Sequence, residues 1–159
     1  MIQDILSRRA ILIGGATLLA ASPLRTFAQG AGPAIDVLKD PNCGCCSAWI
    51  EILAQDGFAV TTEESSGTLL MRHKLDNGIP QEMVSCHTGR IDGYMIEGHV
   101  PVADIRRLLA ERPDAVGLAV PGMPYGSPGM GPESEREAYD VFLIRHDGST
   151  EVFTSYGSA

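Results

Sequence analysis

Residues 35–57, IDVLKDPNCGCCSAWIEILAQDG, contain the change of hydrophobic period that decides the fold. Ile35-Asp36-Val37-Leu38-Lys39 is a short strand candidate, and Asp40-Pro41-Asn42 ends it as a turn. From Cys46 onward Trp49, Ile50 and Leu53 recur at i+3, i+4 and i+7, which is one face of a helix, and Gly57 is placed to stop it. Cys43, Cys45 and Cys46 therefore sit at a strand-to-helix junction, and the class predicted from this stretch is α/β.

Downstream, Phe58, Val60 and Thr62 alternate as a second strand, and Leu69, Leu70 and His73 mark a shorter helix ending at Asn77-Gly78. After Pro80, Met83-Val84-Ser85-Cys86-His87 and Tyr94-Met95-Ile96-Glu97 read as two strands of a hairpin, with Thr88-Gly89-Arg90 and Asp92-Gly93 between them. Val102, Ile105, Leu108 and Leu109 share a third helix face, with Asp104 at its start and Pro113 beyond its end. Residues 117–132 are too rich in Gly and Pro for regular structure and predict a loop bearing Met123 and Met130. A last hairpin joins Tyr139–Arg145 to Glu151–Thr154 through Asp147-Gly148. No internal repeat is present.

Upstream, Met1 to Ala28 reads as an export signal. Arg8-Arg9 precedes the apolar run from Ala10 to Ala21, and Thr26-Phe27-Ala28 offers small residues where a signal peptidase reads. The paired arginines are similar to a twin-arginine signal. The run is shorter than the roughly 20 residues of a membrane span, so no stable span is expected after cleavage, and residues 29–159 form a single domain. The chain has 159 residues, of which 44% are hydrophobic, enough for one core. Its 12 Lys and Arg stand against 20 Asp and Glu, and no basic stripe with interleaved aromatics occurs, which excludes nucleic acid as an expected partner.

Chemistry is concentrated in sulfur and imidazole. Cys43 and Cys46 form a Cys-x-x-Cys pair with Cys45 between them, and a helix N-terminus favours the thiolate, the reactive and metal-binding form. Three readings follow. The first is a soft-metal site of Cys43, Cys45, Cys46 and Cys86, completed by His87, His99 or the thioethers of Met123 and Met130, a donor set that suits Cu(I). Zinc is the competing metal, but structural zinc sites usually combine two separated two-ligand knuckles and only one is present. The second is a thiol-disulfide or copper-redox oxidoreductase with Cys43 as nucleophile and Cys46 as resolving thiol. The third is an interaction module stapled by disulfides, which an oxidising compartment permits. Cys86 and His87, adjacent on a strand, would point to opposite faces, so regular pleating aims Cys86 at the cluster. His73 and His146 read as ordinary surface residues.

The element order β-α-β-α-β-β-α, with Cys-x-x-Cys before the first helix and Ile79-Pro80 before the third strand, resembles the thioredoxin-like fold, here with a Gly/Pro/Met loop and an extra C-terminal β-hairpin. That resemblance implies a cis Ile79-Pro80 bond facing the cysteines. More closely, Cys43-Gly44-Cys45-Cys46 with Trp49, Ser85-Cys86-His87-Thr88, Gly93 to Pro101, and the loop Gly117 to Pro124 with Gly126 to Met130 are similar to a CopG-like family of small bacterial periplasmic metal-binding proteins, the four-eleven family of domains of unknown function. The resemblance implies copper handling in the periplasm, with copper ions and copper-efflux or resistance proteins as partners. It also implies Cys43, Cys45, Cys46, Cys86, His87 and His99 as site residues.

Overall fold

A computed structural model describes residues 32–65 and 67–159. The signal read at Met1 to Ala28 lies outside the described residues. The chain runs β1 (Ala34–Lys39), α1 (Gly44–Gln55), β2 (Ala59–Glu64), α2 (Gly67–Asp76), β3 (His87–Ile91), β4 (Tyr94–Glu97), α3 (Val102–Glu111), β5 (Gly117–Ala119), β6 (Tyr139–Ile144) and β7 (Thr150–Tyr156). The α/β class and the predicted β-α-β-α-β-β-α order are both found. The strands form one sheet in the order β2-β1-β3-β4-β5-β6-β7. The pairs β1 with β2 and β4 with β5 are parallel, and all the others are antiparallel.

Side chains alternate across this sheet, so it builds two apolar layers. On one face Ile35, Val37, Ile96, Leu118, Val141 and Leu143 meet Trp49 and Leu53 of α1 and Ile105 and Leu108 of α3. On the other, Met95, Ala119 and Ile144, each one residue out of phase, pack with Ile79, Met83, Val84 and Val116. Among the described residues no helix is long and apolar enough to cross a membrane.

The structure corrects four local expectations. The third strand begins at His87, and Gln81–Met83 is a single 3-10 turn. Its ladder to β1 starts at the Lys39–His87 pair, the last residue of β1 before the Asp40-Pro41 turn, so residues 84–86 have no strand to pair with. The hairpin turn is Asp92-Gly93 alone, both with positive φ (50° and 92°), as a tight turn between right-twisted strands requires, and Thr88-Gly89-Arg90 lie inside β3. The expected loop at 117–132 opens as β5, because Gly117 lets the backbone close on β4: a Cβ there would stand 1.8 Å from the Met95 carbonyl oxygen. No cis peptide bond occurs among the described residues, so the cis Ile79-Pro80 bond implied by the thioredoxin resemblance is not found.

Candidate metal centre

The turn after β1 sets the cysteines. Asp40 accepts the Asn42 N–H on its carboxylate (2.9 Å) and the Cys43 N–H on its carbonyl (3.1 Å), which halts the chain so that α1 can start. Cys43 keeps an extended backbone as the residue before the helix, no side chain caps it, and Cys45 and Cys46 occupy the first turn. Three residues apart across that turn, Cys43 and Cys46 form a disulfide with α-carbons 5.4 Å apart. Cys45 and Cys86 are free thiols. The structure therefore holds one disulfide and two thiols here, not the pair of disulfides that a purely stapled module would use.

Cys86 is the meeting point. Its Sγ lies 3.4 Å from Cys46 Sγ, 3.9 Å from Cys45 Sγ, 3.2 Å from His99 Nε2 and 3.5 Å from His87 Nδ1, and Cys45 Sγ lies 3.4 Å from Cys43 Sγ. Two donor groups result, Cys43-Cys45-Cys46-Cys86 and Cys86-His87-His99, each with its ligand atoms within 4.8 Å of one another. Of these two neighbours Cys86 is the one grouped with the other three cysteines, while His87, buried against Trp49, meets Cys86 and His99.

The imidazoles are poised as neutral donors. His99 Nδ1–H donates to the Pro128 carbonyl (2.8 Å), which leaves the Nε2 lone pair facing Cys86. Burial holds His99 below the usual imidazole pKa, and burial together with His99 and the Lys74 ammonium holds His87 well below it. His87 is fully buried against the Trp49 ring (4.4 Å between centroids), and its Nε2 has no hydrogen-bond partner. Burial, then the neighbouring Cys45, pushes the Cys86 thiol up to about 11, so a cation entering here must displace a proton. Soft sulfur plus neutral imidazole is a fitting donor set for Cu(I) or zinc.

The Gly/Pro/Met loop closes over this end of the sheet. The Gly122 N–H donates to the Val84 carbonyl and the Ser85 hydroxyl to the Gly122 carbonyl, while Gly129 presses on α1, where a Cβ would stand 2.9 Å from the Cys45 carbonyl oxygen. Met123 and Met130, the neighbours of those contact points, are exposed and half-buried. The geometry thus gathers Cys43, Cys45, Cys46, Cys86, His87 and His99, and places the two methionines on the loop that borders them. Sequence reasoning missed Lys74 and Glu97, which are buried beneath Cys86 as an ion pair (2.5 Å). A signal existed for Lys74: it stands four residues after Leu70, on the buried row of α2.

The family described as "Protein of unknown function, DUF411" matches residues 83–130, a span that includes Cys86, His87, His99 and both loop methionines but not the first three cysteines. Two solved structures of a copper resistance protein CopG are 48% identical to this chain. Form 1 superposes with a TM-score of 0.74 over 79% of this chain and 99% of its own, and Form 2 with 0.71 over 78% and 98%. No curated protein matches the chain.

Proposed function

This chain belongs to the DUF411 family together with the copper resistance protein CopG, and from that membership and the site geometry we propose that it is a periplasmic copper-binding protein acting in copper handling or resistance. The observation that supports this reading best is the position of Cys86 Sγ, within 3.9 Å of two other sulfurs and of two imidazole nitrogens. Thiolate and imidazole together select a soft cation, and Cu(I) is the softest candidate. With the Cys43–Cys46 disulfide closed, Cys45, Cys86, His99 and His87 remain as ligands. Reduction of that bond by two electrons adds Cys43 and Cys46, with Met123 and Met130 available as thioether donors at the rim.

The cargo is copper, received in the periplasm after the twin-arginine-type signal is removed and passed to copper-efflux or resistance proteins. Titrating the reduced protein with Cu(I) against a competing chelator, with Zn(II) in parallel, tests the reading. Tight Cu(I) binding that outcompetes zinc, and that is lost when Cys43, Cys45 and Cys46 are all replaced by Ser, is the expected result. Unaltered Cu(I) affinity in that triple variant would overturn it.

One observation favours an oxidoreductase as a second reading. The Cys86 thiol, 3.4 Å from Cys46 Sγ and 3.2 Å from His99 Nε2, is placed to pass its proton to that nitrogen and attack the Cys46 sulfur, forming a Cys46–Cys86 disulfide and releasing Cys43 as the thiolate. Disulfide mapping before and after thiol exchange tests it. Retention of Cys43–Cys46 alone counts against it.

A further inference from the structure

Directly below Cys86, Lys74 of α2 and Glu97 of β4 are buried with side-chain exposures of 2% and 0%. Lys74 Nζ and the Ser85 N–H both donate to the same carboxylate oxygen, Glu97 Oε1, at 2.5 and 2.6 Å. We propose that Glu97, pinned by Lys74, is a positioning residue that sets Cys86 and His99 for copper, an inference that rests on the copper reading above.

Stability alone is a poor reason for this pair. Desolvating two charges often costs as much as their attraction returns, and apolar replacements of buried pairs are frequently neutral or better. Here both hydrogen bonds of ordinary geometry, from Lys74 and Ser85, fall on Oε1, while Oε2 is buried and the Thr88 hydroxyl of the facing strand helps to hold the charge, so the tightly bonded half of the group is the half that faces Ser85. Residues 84–86 belong to no strand, and the Ser85 N–H has no ladder partner, which leaves the carboxylate as its acceptor.

The segments that bear the donor atoms converge on the same residue. The Glu97 carbonyl accepts the Val120 N–H (2.9 Å), which fixes the root of the methionine loop, and the next residue's N–H, Gly98, donates to the His87 carbonyl (3.1 Å). Gly98, at φ 72°, turns the chain from Glu97 to His99 so closely against the Cys86 segment that a Cβ would stand 2.6 Å from both Ser85 Cβ and the Val120 oxygen. Glu97 thus touches no donor atom itself, yet its side chain locates Cys86 and its backbone locates His99 and the loop.

The test uses the full chain with Glu97→Leu, which deletes the acceptor, Glu97→Asp, which shortens its reach, and Glu97→Gln, which keeps an oxygen for the Ser85 N–H. Cu(I) affinity is measured by chelator competition, and iodoacetamide alkylation of Cys86 and Cys45 is followed in copper-free protein. Glu97→Leu should weaken Cu(I) binding by about 10- to 100-fold and speed alkylation at Cys86 but not at Cys45, and Glu97→Gln should recover most of both changes. Glu97→Asp, the mildest change to the core, gives an intermediate loss and keeps the test open should the Leu variant not fold. Wild-type affinity and Cys86 reactivity in folded Glu97→Leu or Glu97→Asp, or a Gln variant as impaired as the Leu variant, would overturn the proposal. A wild type that binds no Cu(I) would defeat the copper reading instead, and the alkylation rates would still decide whether Glu97 positions Cys86.

Discussion

Cys86 is the residue on which both donor groups depend, and on the copper-binding proposal its protonation would make cation binding pH-dependent. With its pKa pushed up to about 11, the thiol is protonated throughout the neutral range, so each displaced proton should cost about tenfold in apparent affinity per unit fall in pH. Cu(I) competition titrations at pH 8, 7 and 6 check this, and a flat profile would show that Cys86 is not a ligand. Cys86→Ser should remove more affinity than Cys45→Ser, because Cys86 belongs to both groups and Cys45 to one. The single tryptophan offers a direct reporter: Trp49 lies 4.4 Å from His87, so its emission should change on copper loading and should not change in Cys86→Ser.

The elements divide the work. The residue before α1 and the first turn of α1 present three sulfurs, the segment before β3 presents the fourth, and the chain leaving β4 delivers His99, while the loop after β5 clamps them. Gly129 is where that clamp meets the helix. At φ 85°, with a Cβ destined for 2.8 Å from the Trp49 backbone nitrogen, Gly129→Ala should strain or lift the loop, costing on the order of 1–3 kcal/mol in stability and weakening the His99–Pro128 bond. Urea unfolding and Cu(I) affinity of that variant measure the two effects, and wild-type values for both would show that the loop only covers the site. α2 is tied in lightly by comparison. Only Leu70 and Lys74 are buried, and Leu69, Met71 and Leu75 remain exposed.

At the scale of the whole molecule, stability comes from the two apolar layers and not from the disulfide. Cys43 and Cys46 are three residues apart, and closing so short a loop stabilises a fold by only about 2 kcal/mol in the chain-entropy account. Reduction should therefore lower the urea midpoint modestly and leave a folded protein, and complete unfolding on reduction would refute this. Acid should act more strongly. His87 and His99 have folded pKa values below the usual one, so the unfolded chain binds more protons once the pH falls under about 6.5. Stability is then full above that value and declines as pH falls toward the lowered folded values. Urea midpoints between pH 7.5 and 5 should show this slope, and His99→Gln should reduce it.

Local periodicity was enough to read α1, α3, the α/β class and the final hairpin, because a helix or strand face is a pattern written in neighbours along the chain. The cysteine cluster was equally legible, since its members are consecutive and their chemistry belongs to the side chains themselves. Three things were not legible in that way. Where β3 begins depends on where β1 ends, and whether Gly117–Ala119 is a strand depends on β4 and β6 lying either side of it; both are set by partners distant in sequence. The Lys74–Glu97 pair beneath Cys86 joins residues 23 apart through a buried contact that no spacing rule encodes. The sequence by itself determined which atoms are available for chemistry. Only the tertiary structure decided that Cys86 stands between three cysteines and two histidines, because that convergence requires the sheet to bring the start of α1, the approach to β3 and the end of β4 to the same place.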